Sequence, residues 1–404
     1  MAQTDDAKAL RDIGSNLDEQ GKAKSTYIPP NAVPDEAAEE GAEGGEEVAN
    51  PWGETLFDFM WSIPNIYENE ENPFLQQFKF NGYYQWQHAD VDADQGTYQD
   101  SEARVKRFGA MMKVLYDVEL QAEANFDDDW NYIDLDNATV SLRLPGDGNT
   151  KVTFGKMKPK FSYEYATHSS ELLTLERSLL VQQLAPAKTV GITVSGESDH
   201  WWWDLGWFSG GVDQEFADFN QGGFFLGRVG YVWEDPEMPE HREIWHADWL
   251  FNANEEENVS VQGYRNAIAT GVKVENGRFE MVADVLYANG DIDLWGIILQ
   301  PSVYLIPNRL QLVGRYHYAD TDDPAGLVLR PRYEGMITAN DEGPMPDDMR
   351  GDTYHSFYGG LNWYLYGHEL KIMAGLEYSI LSDTGRDDNE FKGWTWIAGV
   401  RGRF

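Results

Sequence analysis

From about residue 76 to Phe404 the chain alternates apolar and polar side chains with a period of two, in segments of roughly ten residues divided by Gly, Asn, Asp and Pro. Successive side chains of an extended strand point to opposite faces, so each segment reads as a strand with one apolar and one polar side. In the first, Phe78, Phe80, Tyr84 and Trp86 oppose Lys79, Asn81, Gln85 and Gln87. The third sets Val118, Leu120, Ala122, Ala124 and Phe126 against Glu119, Gln121, Glu123 and Asn125, and the fifteenth sets Leu370, Ile372, Leu376 and Tyr378 against Lys371 and Glu377. Sixteen such segments begin near residues 77, 104, 117, 131, 150, 187, 202, 223, 244, 267, 278, 293, 308, 352, 369 and 392. An even number of antiparallel strands can close on itself, and a closed barrel absorbs 404 residues without a second core.

A soluble sandwich or propeller has the same period, because it too buries one face. Two features favour a bilayer. Connections alternate between tight turns, such as Glu275–Arg278, Pro307–Asn308 and Tyr366–His368, and long polar loops such as 321–351. Aromatics gather at segment ends, as in Trp201 to Trp203, Trp245, Trp249, Trp363, Trp394 and Trp396, where amphipathic rings form interfacial girdles. No run approaches the ~18 apolar residues of a membrane-spanning helix, so a barrel is the remaining way across. The last segment places Trp396, Val400 and Phe404 on one face and ends on an aromatic, the pattern of a terminal strand read by outer-membrane assembly machinery.

The net charge of −38 excludes a nucleic-acid partner, which would be repelled along its length. Residues 1–50 carry 12 acidic and 4 basic side chains, a balance of −8 that leaves −30 for the remainder. Met1-Ala2-Gln3 reads as a start placed before a processed mature N-terminus. Ala7, Leu10, Ile13 and Leu17 suit a short amphipathic helix or one strand of a small coiled coil, and a frayed terminus is the equal alternative. Pro29, Pro30 and Pro34 stop it, and an acidic Gly/Ala-rich linker follows from Asp35 to Ala49. The expected organisation is an N-terminal arm, 1–55, on the periplasmic side, and a barrel, 56–404.

Enzymatic signatures are missing: no His pair at helical metal spacing, no Gly-x-Ser-x-Gly elbow, no phosphate-cradling glycine loop. The chain reads as a non-enzyme without cofactor or metal. Asp90, Asp92 and Asp94 alternate like calcium ligands, but no Glu follows at the last ligand position, and a solvated hairpin loop is the better reading.

What a pore accepts is set by its inward side chains. Alternation turns Lys79, Arg107, Lys113, Arg143, Arg228, Lys273, Arg315, Lys371, Arg401 and Arg403 inward, against Glu119, Glu123, Asp248, Glu280, Asp284 and Glu377. The wall is slightly basic although the chain is acidic, so the negative charge belongs to the loops and the arm. Between the fifth and sixth strands, the segment from Lys158 to Lys188 carries Phe161, Leu172, Leu173, Leu175, Leu179 and Leu180, apolar content that a loop folded back into the lumen would bury.

Phe154-Gly-Lys-Met-Lys-Pro-Lys-Phe161, then Tyr163-Glu-Tyr165 and Leu175-Glu-Arg-Ser-Leu179, resemble the phosphate-selective porin O and P family, with Met157 where that family has an aromatic. The resemblance implies a sixteen-stranded antiparallel transmembrane β-barrel of the cell outer membrane, an inward-folded third loop, a homotrimer, and a basic path for phosphate. By that likeness Lys156, Lys158, Lys160 and Arg177 form the constriction, sharing their loop with Glu164, Glu171 and Glu176. Lys156 and Lys158 share the apolar face of Val152 and Phe154, so the expectation requires a bulge near Gly155 that turns both inward. The function expected is passive diffusion of small anionic or neutral solutes with weak anion selectivity, in contact with outer-membrane lipid. The alternatives are an envelope barrel whose arm and acidic loops bind cell wall or a surface layer, and a soluble carbohydrate-active β protein.

Overall fold

The computed structural model describes residues 54–404 except 147–148, 262, 292, 330–331, 338–348 and 386–387. The arm helix expected around Ala7–Leu17 lies outside the described residues. Sixteen long strands follow: β1 (Leu75–Ala93), β2 (Gly96–Val114), β3 (Val118–Phe126), β4 (Tyr132–Arg143), β5 (Lys151–Met157), β6 (Thr189–Glu197), β7 (Trp201–Ser209) and β8 (Gly223–Asp235). After them come β9 (Met238–Asn252), β10 (Tyr264–Asn276), β11 (Phe279–Gly290), β12 (Leu294–Ile306), β13 (Leu310–Thr321), β14 (Thr353–Tyr366), β15 (Leu370–Asp383) and β16 (Asp388–Arg403). Each pairs antiparallel with the next, and β16 pairs with β1 from Gly393↔Ala93 to Arg403↔Tyr83, which closes the barrel. All sixteen expected strands are present. β2, β9 and β16 begin earlier than the alternation shows because Gly96–Ala103, Met238–Glu243 and Asp388–Phe391 extend past the apolar band, where the two-sided pattern fades.

The two rims differ as expected. Short connections such as 115–117, 236–237, 277–278, 307–309 and 367–369 mark one, and 158–188, 210–222, 253–263 and 322–352 mark the other. The tight turns need left-handed backbone, supplied by Gly277 (φ 58), Asn308 (φ 60) and Gly367 (φ 49). Outward positions carry exposed Phe154, Ile268, Val285, Leu361 and Trp396, while their inward neighbours Thr153, Ala267, Asp284, Gly360 and Thr395 are buried. Asp90 and Asp92 lie within β1 rather than in a hairpin loop, a correction to the reading of that stretch.

The terminal aromatic sits at the seam. Gly82 and Phe404 exchange two backbone hydrogen bonds of 3.1 Å, and the Phe404 ring occupies the space a Cβ at position 82 would fill. Gly82→Leu is therefore expected to overpack the closing contact by about 1–3 kcal/mol, seen on a gel as loss of the heat-modifiable folded band. An undiminished band would show that the seam tolerates the side chain. Beyond Phe404, a short strand Asn65–Glu68 continues along β1, and the helix before it, α1 (Glu54–Ser62), docks at the same rim. Its Trp61 Nε1 donates to the Arg403 carbonyl at 2.5 Å, and Phe57 stacks on Tyr366.

Half of the interior is a hydrophobic core. The segment between β5 and β6 contains two short helices, α2 (Tyr163–Ala166) and α3 (Leu179–Leu184). Phe161, Leu175, Leu179, Leu180, Val181 and Leu184 are buried against inward Phe208, Phe224, Leu226, Leu250, Leu286 and Leu294 of β7–β12. Small inward residues make room: at Gly296 a Cβ would meet Leu180.

Candidate pore constriction

The segment is fixed to the wall by charge as well as by apolar contact. Ser162 (φ 59) caps α2 by accepting from Tyr165 N, which delivers Glu164 to a buried position. There the Glu164 carboxylate accepts from Ser178 N (3.0 Å), Ser178 Oγ (2.5 Å) and Arg315 Nη1 (3.0 Å). The Tyr163-Glu-Tyr165 and Glu-Arg-Ser elements are thus in direct contact. Arg315 also donates to Thr174 Oγ1, to the Glu176 carbonyl and to Glu377. Arg401 donates to the carbonyls of Leu172 (3.1 Å), Thr174 (3.1 Å) and Leu175 (2.7 Å), and Lys371 Nζ to that of Leu172 (2.8 Å). Arg403 Nη1 pairs with Glu171 at 3.1 Å and donates to Ser170 Oγ.

These contacts correct part of the expected pore wall. Arg315, Lys371 and Arg401 do point inward, but they are buried and bound to segment carbonyls and carboxylates. Glu164 likewise is a buried strut. Arg143 is exposed at the rim beside the 144–150 turn, and Lys113 lies one turn from the same rim, across from Glu119. Arg228 pairs with Asp248 at 3.0 Å, and Lys273 pairs with Glu275 and, at 3.8 Å, with Glu280. No bulge forms at Gly155: Thr139↔Gly155↔Gly191 stay in register, with Gly155 at φ 134. Lys156 therefore keeps the outward parity of Phe154, and its ammonium donates to the Asp213 and Gln214 carbonyls of the 210–222 loop, both at 2.8 Å. Lys160 is exposed, and its charged neighbours are Asp204, Arg228 and Lys151 rather than the other loop lysines.

What remains open is a cavity of about 500 Å³ between the segment and β1–β4. Its cations are Lys79, Arg104, Arg107, Lys158, Arg177, Lys188, Arg401 and Arg403, against Glu119, Glu123, Asp136, Glu176 and Glu369. Arg107 is 2.7 Å from Asp136 and 3.9 Å from Glu123, and Lys188 also meets Asp136. Glu176 accepts from Gln87 (2.7 Å) and Arg104 (3.2 Å). Lys158 and Arg177 differ. Lys158 Nζ lies 4.3 Å from the Tyr165 ring centroid and 3.4 Å from the Thr167 carbonyl; Arg177 lies over the same ring and donates to the Thr167 carbonyl at 3.0 Å. Among the described residues neither ion-pairs with a carboxylate. Burial, then the nearby Arg177, Lys188 and Arg107, push the Lys158 ammonium well below its usual pKa. Arg104 and Lys188 escaped the sequence reading. Arg104 is turned inward by a bulge where Gln85↔Val105 gives way to Trp86↔Ala103, and no residue pattern announces that shift.

A closed sixteen-stranded antiparallel barrel with an apolar outer band, unequal rims and a polar cavity beside an inward segment has the architecture of an outer-membrane β-barrel. Residues 78–223, from β1 to the start of β8, match the model of the phosphate-selective porin O and P family, and the stretch 154–180 lies within that match. In solved structures the fold is similar to the anion-selective porin from Comamonas acidovorans, at 12% identity and TM-score 0.55, covering 81% of this chain and 99% of that one. It is equally similar to Pseudomonas putida OprB at high pH, at 10% identity and TM-score 0.55, covering 81% and 94%. Salmonella typhi OmpF in complex with daunomycin gives 10% identity and TM-score 0.53, covering 81% and 98%. At these identities the likeness is one of fold. No curated protein sequence matches the chain.

Proposed function

We propose that the chain is a passive diffusion channel that weakly favours small anions, phosphate among them, at a constriction formed by Lys158 and Arg177 with Arg104, Arg107 and Lys188 opposite. The observation that supports this most is the pair of segment cations without carboxylate partners facing the cavity. A guanidinium beside an ammonium suits a tetrahedral oxyanion, because the fork gives two parallel donors. Reversal potentials across a potassium chloride gradient test the reading: wild-type channels should favour chloride even at high salt, where loop carboxylates are screened. Clear cation selectivity under those conditions would sink it.

The assembly proposed is a homotrimer. Exposed outward Trp occur on β1, β7–β9, β12, β14 and β16, and none is found on β2–β6, where the outward row Phe80–Ala110–Ala122–Ala138 is mostly small. Small residues suit close packing of a second barrel better than lipid contact. Ala122→Arg is expected to give monomers by mass measurement in detergent. A wild-type monomer would contradict the assembly.

The anchoring reading has one observation in its favour, for α1, which begins at Glu54, lies at the short-turn rim. A chain lacking 1–53 should conduct as the full chain does; any envelope partner, if it binds the arm, should be lost.

A further inference from the structure

A second stretch enters the lumen, from the connection between β13 and β14. Leu327, Leu329, Tyr333, Ile337 and Met349 are buried, and Leu327–Val328 pairs with Arg350–Gly351. Its contacts span the barrel. On the apolar side Gln183 of α3 donates to the Gly326 carbonyl at 2.6 Å and accepts from Val328 N. On the polar side Tyr333 OH donates to Glu102 of β2 at 2.6 Å and accepts from Gln87 of β1, while Arg332 pairs with the same Glu102. Glu334 accepts from Thr395 of β16 at 2.9 Å. Gln87 also donates to Glu176, so one side chain joins this stretch to the constriction. Gln87 and Glu102 are cross-strand partners on the long-loop side of Arg104, so a solute entering from that rim passes the stretch first.

We propose that Leu327–Leu329 with Arg332–Ile337 forms a second, outer filter that limits solute size, latched by Tyr333 across Glu102 and Gln87, while charge preference is set deeper by Lys158 and Arg177. The proposal rests on the channel reading above. A buried tyrosine whose hydroxyl both donates and accepts holds its backbone in one place, and its removal leaves Glu102 with Arg332 alone.

Planar-bilayer recordings on the full chain separate the two claims. Wild type must conduct; if it does not, the channel reading itself fails. Tyr333→Ala should raise single-channel conductance about 1.5- to 2-fold and admit larger polyethylene glycols added on the long-loop side. Its reversal potential should match wild type, because no lumen charge has changed. Tyr333→Phe, which removes only the hydroxyl, should keep the folded, heat-modifiable band and show more frequent switching to the larger conductance. Unchanged conductance and polymer cut-off in Tyr333→Ala would overturn the outer filter, as would an altered reversal potential without any change in cut-off. Should Tyr333→Ala fail to fold, a Tyr333→Phe channel as quiet as wild type overturns it.

Discussion

Exchanging Lys158 for glutamate is expected to turn the channel from weakly anion-preferring to cation-preferring. The substitution changes the local charge by up to two units beside the open cavity, where among the described residues no carboxylate ion-pairs with the lysine. For an ion passing about 8 Å away in a water-filled but narrow space, an intermediate effective dielectric makes the change worth about 1–2 kcal/mol, roughly tenfold against the anion and roughly tenfold in favour of the cation. The same exchange at Lys160, exposed beside Asp204 and Arg228, should shift the reversal potential less. At Lys156, bound by loop carbonyls on the outward side, it should hardly act. Neutralising Glu255, Glu256 and Glu257 in the 253–263 loop should also leave the potential nearly unmoved. Equal shifts from Lys156 and Lys158 would show that the barrel's overall charge, and not this site, sets the preference.

Arg315→Met is expected to free the inner segment. The guanidinium bridges Glu164 and Glu377 and holds the Glu176 carbonyl. Losing it leaves the buried Glu164 and the half-buried Glu377 without the cation they share, and breaking a buried pair by removing one partner typically costs about 3–5 kcal/mol. The barrel's strand pairing is untouched, so the cost falls on segment docking. Conductance should rise and become noisy, and the folded band should convert at lower temperature. Adding Glu164→Gln and Glu377→Gln should restore much of the quiet state, because neither carboxylate is then left without its cation. If Arg315→Met alone records like wild type, the apolar contacts of Leu179, Leu180 and Leu184 suffice to hold the segment.

The strand plan was legible because a membrane demands it. Every outward position between the rims must be apolar and every backbone group must be paired, so the alternation survives in the residues themselves. The apolar content of 158–188 also announced a buried surface. What alternation cannot tell is what an inward side chain touches. Arg315, Lys371 and Arg401 point inward as parity requires, yet they meet main-chain carbonyls from a segment some 140–230 residues away in sequence. Lys156 was misplaced because the family likeness was given more weight than its parity with Phe154, and the strand register kept the parity. Arg104 needed a bulge, and Tyr333 needed knowledge of where a long loop returns; neither leaves a periodic trace.

The one-sided interior means that this pore cannot be widened by simply cutting out its plug. A truncation removing the inner segment would uncover Phe208, Phe224, Leu226, Leu250, Leu286 and Leu294 along half of the wall. Such a surface, left facing water, costs free energy in proportion to its apolar area. The excised channel would carry an oily flank along one side of a wetted bore, and would harbour apolar molecules that the intact barrel has no room to admit.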